Sequence, residues 1–415
     1  AMPSWIEARA DQNGVSRGAV IDVHAGGIKI IPAGSPGASG GGAPYAAPMT
    51  TSPAFRSLLR AATSASILML ASCATAPPAP TRPPADTRSE IVRRMPAKVA
   101  DRDRWAADIE TAFAAQRIEP TSENICAVLA ITEQESGYVA NPAVANLPKI
   151  ARGEIDRRAA ALHVPKFMVD AALAVRSPDG RSYAERLRSV RTERDLSELY
   201  EDLIGSVPLG KRLFADYNPV QTGGPMQVGI PFAEANASRY PYPVEGSIRD
   251  EVFTRRGGLY FGIAHLLGYQ TPYTRKVHRF ADYNAGWYAS RNAAFQNAVG
   301  IAAGVTLALD GDLLNPGAPM DKPGQTERAV RRLAGELHLD EREIREALQR
   351  GSRLDFDDTP LYARVYALAE ARAGTPLPRA MIPGITLESP KITRKLTTAW
   401  FATRVDERYR RCMQR

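Results

Sequence analysis

Apolar positions recur with helical periodicity from Asp101 onward. Trp105, Ile109 and Phe113 fall at i, i+4 and i+8, which predicts an amphipathic helix over 104–117. Pro120-Thr121-Ser122 then supplies a cap for a second helix, 123–136, with Gly137 as its stop. The same reading predicts helices at 156–162, 165–175, 184–190, 196–204, 249–267, 274–282 and 291–300. Pro165 suits the first position of its helix, where no backbone donor is needed. Beyond 305, helices are expected at 326–350, 359–373 and 392–411, with 374–390 a proline-spaced loop. Alternating runs with hairpin turns are nearly absent, and no internal repeat is found, so the expected fold class is all-α.

The start of the chain is patterned differently. Met49 opens a stretch carrying Arg56 and Arg60, followed by an apolar segment, 61–70, and then Leu70-Ala71-Ser72-Cys73. Charge, apolar run and small residues before a cleavage point make a secretory signal over 49–72. The last four residues resemble a bacterial lipobox, which implies a lipid on Cys73. Pro77, Pro78, Pro80, Pro83 and Pro84 follow, so residues 73–96 are expected to be an extended tether. Ala74 after the lipid site implies, by resemblance to sorting rules, the outer membrane facing the periplasm. Residues 1–48 lie upstream of this signal and are expected to be a mis-assigned start or disordered. The Gly14-Val15-Ser16-Arg17-Gly18 match to GxSxG lies in that segment without strand–turn–helix context, and is discarded.

Composition narrows the classes. The chain has 415 residues, 44% hydrophobic and 24% charged, the balance of a globular protein with room for more than one domain. Three cysteines exclude a disulfide scaffold and a four-thiolate zinc site, and the five histidines never approach an HExxH spacing. No metal or cofactor is expected. The formal charge of +8 favours polyanionic partners, but the basic residues are not clustered, so nucleic acid is not an expected partner. Cys126 and Cys412 can form a bridge in an exported protein or remain two buried thiols.

The second helix carries the candidate chemistry. Ile125, Val128, Leu129 and Thr132 mark an apolar face, and Glu135 falls close to that stripe in the last turn. Desolvation and the negative end of the helix dipole both favour its protonated form, which a general acid needs near neutral pH. Glu133 points to a different side.

Gln134-Glu135-Ser136-Gly137-Tyr138, followed by Asn141-Pro142, resembles the catalytic segment of lysozyme-like lytic transglycosylases. Gly223-Gly224-Pro225-Met226-Gln227 is similar to their Gly-Leu-Met-Gln segment, and Tyr283-Asn284-Ala285-Gly286 to their Tyr-Asn-Ala-Gly motif. The three occur in the family's order. The resemblance covers 97–305 and implies a lysozyme-like catalytic domain there. It implies Glu135 as catalytic residue, and Ser136, Gly224, Met226, Gln227, Tyr283, Asn284 and Gly286 as substrate-binding. Gln227 and Asn284 offer donors and acceptors to sugars, and Trp287, Tyr288, Tyr240 and Tyr242 offer faces for stacking.

Three departures stand out. Pro225 replaces the leucine, Asp282 precedes the tyrosine motif, and Gln227 comes 92 positions after Glu135. Residues 145–220 are therefore expected to be an inserted helical subdomain, a wall or lid on the cleft, and 306–415 a C-terminal helical region. The resemblance implies cleavage of the MurNAc–GlcNAc β-1,4 bond of peptidoglycan to 1,6-anhydro ends. A muramidase of the same fold would need a second carboxylate, Asp282 or Glu133. A non-catalytic peptidoglycan-binding scaffold is the third alternative.

Overall fold

The computed structural model describes residues 7–8, 83–315, 317–388 and 396–415. Apart from Glu7 and Ala8, the expected start segment, the signal, Cys73 and the first part of the expected tether lie outside these residues. The described chain is mainly helical, with eighteen α-helices and a few short strands. No helix among the described residues is long and apolar enough to cross a membrane.

Within the expected tether the described residues are mostly helical rather than extended. Pro84–Arg94 is a helix, α1. Pro84 sits in the first turn, where a missing N–H costs nothing, and Arg93 and Arg94 complement the dipole at the other end. Ile91 and Met95 are buried, fastening α1 to α2 (Arg102–Gln116). The extended form expected for 73–96 is thus excluded over 84–94, because burial of one apolar face outweighs the local preference of the preceding prolines.

The next helix, α3 (Ser122–Glu135), matches its predicted bounds within a residue, and Thr121 caps it by accepting from Asn124 N at 3.1 Å. Five helices follow in the expected insert: α4 (Leu147–Ala161), α5 (Lys166–Ala174), α6 (Tyr183–Ser189), α7 (Glu193–Gly205) and α8 (Gly210–Phe214). Pro165 is the N-cap of α5, one position before the one expected. A two-residue strand pair, Thr222–Gly223 against Val228–Gly229, frames the Gly224–Gln227 turn. The helix expected over 249–267 is two, α10 (Ile248–Val252) and α11 (Arg255–Leu267), after a short α9 (Ile230–Ala235). Phe253 ends one, and Thr254 caps the other by accepting from Gly257 N. Then come α12 (Lys276–Ala285) and α13 (Ala289–Ala303).

Two hydrophobic cores organise these elements. The first gathers α1–α3, α7 and α10–α12, and includes Val169, Leu173, Tyr183, Leu187, Leu196 and Leu199 of the insert. The insert therefore shares the main core and acts as a wall of it. The second core joins the later half of α13 (Phe295, Ala298, Val299, Ala302) to α14 (Gln325–Arg332), α16 (Glu341–Leu348) and α17 (Pro360–Ala373), with the one-turn α15 (Ala334–Leu337) between. Fully buried Arg291 of α13 pins the two together, donating to the carbonyls of Gly351 and Arg353 and pairing with Asp357 at 3.1 Å.

The C-terminal region expected as one extension, 306–415, divides between these cores. Strands Thr386–Glu388 and Leu396–Thr397 pair antiparallel, and Glu7–Ala8 adds an outer strand. Leu387 and Leu396 lie in the first core, as do Phe401, Ala402 and Val405 of α18 (Thr398–Met413). That helix packs on α3 and α12. Cys126 of α3 and Cys412 of α18 form a disulfide with Cα atoms 5.5 Å apart, which decides between the two cysteine readings.

Candidate functional site

Glu135 is the last residue of α3 and is 1% exposed. Gly137 and Tyr138 both take positive φ, turning the chain sharply after it. Tyr138 Oη donates to the Leu129 carbonyl at 3.0 Å and holds that turn against its own helix. The Ser136 hydroxyl donates to the Thr132 carbonyl at 3.1 Å, so it closes the helix end. Glu133 faces α18, with Arg408 and Arg411 each 3.9 Å away, as its offset from Glu135 predicts.

The Gly224–Gln227 turn lies on α11. A Cβ on Gly224 would meet the Val252 carbonyl oxygen at 2.1 Å, so this glycine is required by packing on α10 and by its φ of 75°. Pro225 and Met226 rest on Gly258 and Gly262, one turn apart on α11, where side chains would collide with them. Gln227 adopts φ 53°, a left-handed conformation that costs a non-glycine residue about 1–2 kcal/mol. Hydrogen bonds hold it there. Its Nε2 donates to Glu193 Oε2 at 2.9 Å and to the Gly224 carbonyl at 3.4 Å, and its Oε1 accepts from Thr222 Oγ1 at 3.3 Å.

Tyr283 joins these two parts. Its Oη donates to the Met226 carbonyl at 2.7 Å, and its hydroxyl is pushed well above the usual tyrosine range by burial and by the negative charge of Glu135. The end of α3, the Met226 turn and α12 therefore converge, although they are distant in sequence. Asn284 is turned toward α18: its Oδ1 accepts from Thr398 Oγ1 at 3.0 Å, while its buried Nδ2 finds no acceptor among the described residues. Gly286, with φ 106°, ends α12 and is exposed. It edges an open cavity of about 700 Å³ whose lining includes Trp287, Asn292, Asp312 and Gln349.

Asp282 has a different role from the one the sequence allowed it. It is fully buried, and its oxygens accept from Tyr269 Oη (3.1 Å), Tyr273 Oη (2.8 Å) and the backbone N–H groups of Tyr288 (3.1 Å) and Ser290 (2.6 Å). Burial raises its pKa from the ordinary carboxylate value, opposed by these donors. It anchors the α12–α13 corner. The aromatic residues proposed as sugar platforms are engaged too. Trp287 stacks on Tyr269 (centroids 4.8 Å) and donates to the His265 carbonyl, and Tyr240 stacks on Phe261.

His265, behind Tyr283, offers a pH test of this packing. Its Nε2 lies 3.2 Å from the Tyr283 carbonyl, and burial pushes its pKa down to about 4. The unfolded chain binds the proton near pH 6.5, so the native state loses stability as pH falls from about 6.5 toward 4. Urea midpoints measured across that window should fall with pH in the native protein and flatten in His265→Gln.

Sequence reasoning missed Glu193. It is 3% exposed at the first position of α7, and it reaches Gln227 across 34 residues. The Thr192–Asp195 capping box marks the helix start, but no local pattern names the partner. Among the described residues no cluster of metal-ligating side chains occurs.

From α2 onward this helical body, with its buried carboxylate at a helix end, lies within the region, residues 98–415, that matches a protein-family model. The chain belongs to that family, described as "Protein of unknown function (DUF1615)". An Escherichia coli K12 relative, described as "Uncharacterized protein YaiW", is 55% identical over 351 residues, covering 84% of this chain and 96% of the relative. No solved structure matches.

Proposed function

We propose that the chain is a peptidoglycan lytic transglycosylase, held at the outer membrane by a lipid on Cys73 and facing the periplasm. The observation that carries the reading is the convergence of its three motif segments: the charge of Glu135 bears on Tyr283, whose hydroxyl is held by the Met226 carbonyl. Glu135 protonates the glycosidic oxygen between MurNAc and GlcNAc. The MurNAc acetamide stabilises the oxocarbenium-like centre, a substrate-assisted route that dispenses with a second carboxylate. Ionised Glu135 then takes the proton of the C6 hydroxyl as that oxygen closes the 1,6-anhydro ring.

The commitment of Asp282 to the α12–α13 corner and of Glu133 to α18 favours this route over a water-using muramidase that would draw on either. The Cys126–Cys412 bridge suits an oxidising compartment, and the excess of basic residues suits strands whose stem peptides carry carboxylates. Because Glu135 and Gln227 are nearly buried, the reading requires the covering side chains to part as a strand enters.

The test is incubation of the protein with purified sacculi, followed by mass spectrometry of the released muropeptides. Anhydro-ended products are expected. Reducing ends would instead identify a hydrolase, and sacculi bound without release would identify a binding scaffold.

A further inference from the structure

The insert returns to the main body directly beside the site. Asn141 Nδ2, six residues after Glu135, donates to Thr192 Oγ1 at 3.0 Å. Val144 N donates to the Arg191 carbonyl at 2.9 Å, and Ala143 bridges Thr192 in a β-like contact. The next residue, Glu193, accepts from Gln227. Ser197, one turn further along α7, meets Asn218 Nδ2 at 3.1 Å and is buried. Three consecutive residues of the insert thus touch both the loop that follows Glu135 and the turn that carries Met226.

Gln227 holds an unfavourable backbone conformation, and its side chain is tied at both ends. A buried carboxylate is a strong acceptor for an amide N–H, so Glu193 contributes more to that hold than the 3.4 Å contact with Gly224. The conformation matters because the peptide between Met226 and Gln227 carries the carbonyl that Tyr283 Oη meets.

We propose that Glu193 is a positioning residue of the site: by accepting from Gln227 Nε2 it keeps the Met226 carbonyl in place for Tyr283, and so sets the tyrosine against Glu135. The inserted segment is then the part of the chain that orders the site. The catalytic consequence rests on the transglycosylase reading; the structural one does not.

The test uses Glu193→Ala and Glu193→Gln in the full chain, with soluble uncrosslinked glycan strands as substrate. Glu193→Ala is expected to lower kcat by about 10- to 100-fold with KM changed less than about 3-fold, as for a misplaced catalytic group. Glu193→Gln, whose amide oxygen still accepts from Gln227, should recover the rate and leave the pH profile unmoved. A loss as deep in Glu193→Gln as in Glu193→Ala would overturn the proposal and make the charge itself the requirement. Wild-type rates in Glu193→Ala would overturn it too. Hydrogen exchange of peptides spanning 222–229 reads the same contact without turnover. Faster exchange in Glu193→Ala alone supports the positioning role even if the wild type releases nothing, whereas unchanged exchange overturns it.

Discussion

Glu135→Gln is expected to lower the release of anhydro-ended muropeptides from sacculi by about 10²–10⁴-fold, the range for removal of a general acid. The upper part of that range applies, because in the proposed mechanism one carboxyl serves twice, first donating to the leaving oxygen and then accepting from the C6 hydroxyl. The substitution preserves shape at a position 1% exposed, and the hydrogen bond from Tyr283 goes to the Met226 carbonyl, not to the carboxyl of Glu135. Rate and fold are therefore separable: the variant should unfold at nearly the wild-type urea midpoint while turnover collapses. Retained turnover would remove Glu135 from the mechanism. A collapse of both would show that the carboxyl is a structural element of the helix end.

Loss of the Cys126–Cys412 bridge is expected to have the largest effect on stability, about 2–5 kcal/mol. The bridge spans 286 positions and ties α3, the helix that ends in Glu135, to α18, with both cysteines buried. Arg94 donates to the Cys412 carbonyl at 2.9 Å, so α1 is fastened to the same point. Urea unfolding of Cys412→Ser without reductant should show this shift. Cys126→Ser/Cys412→Ser should show nearly the same shift as either single change, since the first substitution already removes the constraint. Additive losses would mean that the two cysteines contribute as separately packed side chains.

Much of the helical plan could be read along the chain because local signals and tertiary burial agree there. The Trp105, Ile109 and Phe113 stripe and the Thr121 cap placed α2 and α3 within two residues of their bounds. The predicted helix over 326–350 breaks at Leu333 and again at His338, which takes a left-handed conformation, and restarts after Asp340 with Glu343 as its capping partner. That Asp-x-x-Glu pattern was legible; the long periodic run obscured it. For α1 the reverse held: the prolines dominate the local signal, while Ile91 and Met95 find partners only in the folded core.

The candidate site shows where that limit lies. Periodicity reports that a face is buried and places Glu135 at the end of an apolar stripe, and motif order brings the Gly224 turn and Tyr283 into consideration. Neither says which residue lies opposite. The partnership of Glu193 with Gln227, the enclosure of Asp282 by two tyrosines and two backbone donors, and the bridge from Cys126 to Cys412 all join positions apart in sequence. The return of α18 to the first core after an intervening second core belongs with them. The sequence by itself determined most of the helices, the Thr121 cap and the buried carboxylate, because these follow from interactions within a few residues. The tertiary structure alone decided which carboxylate is structural, which supports the Met226 turn and where the C-terminal helix packs, because long-range partners are selected by the collective burial of both cores and leave no local pattern.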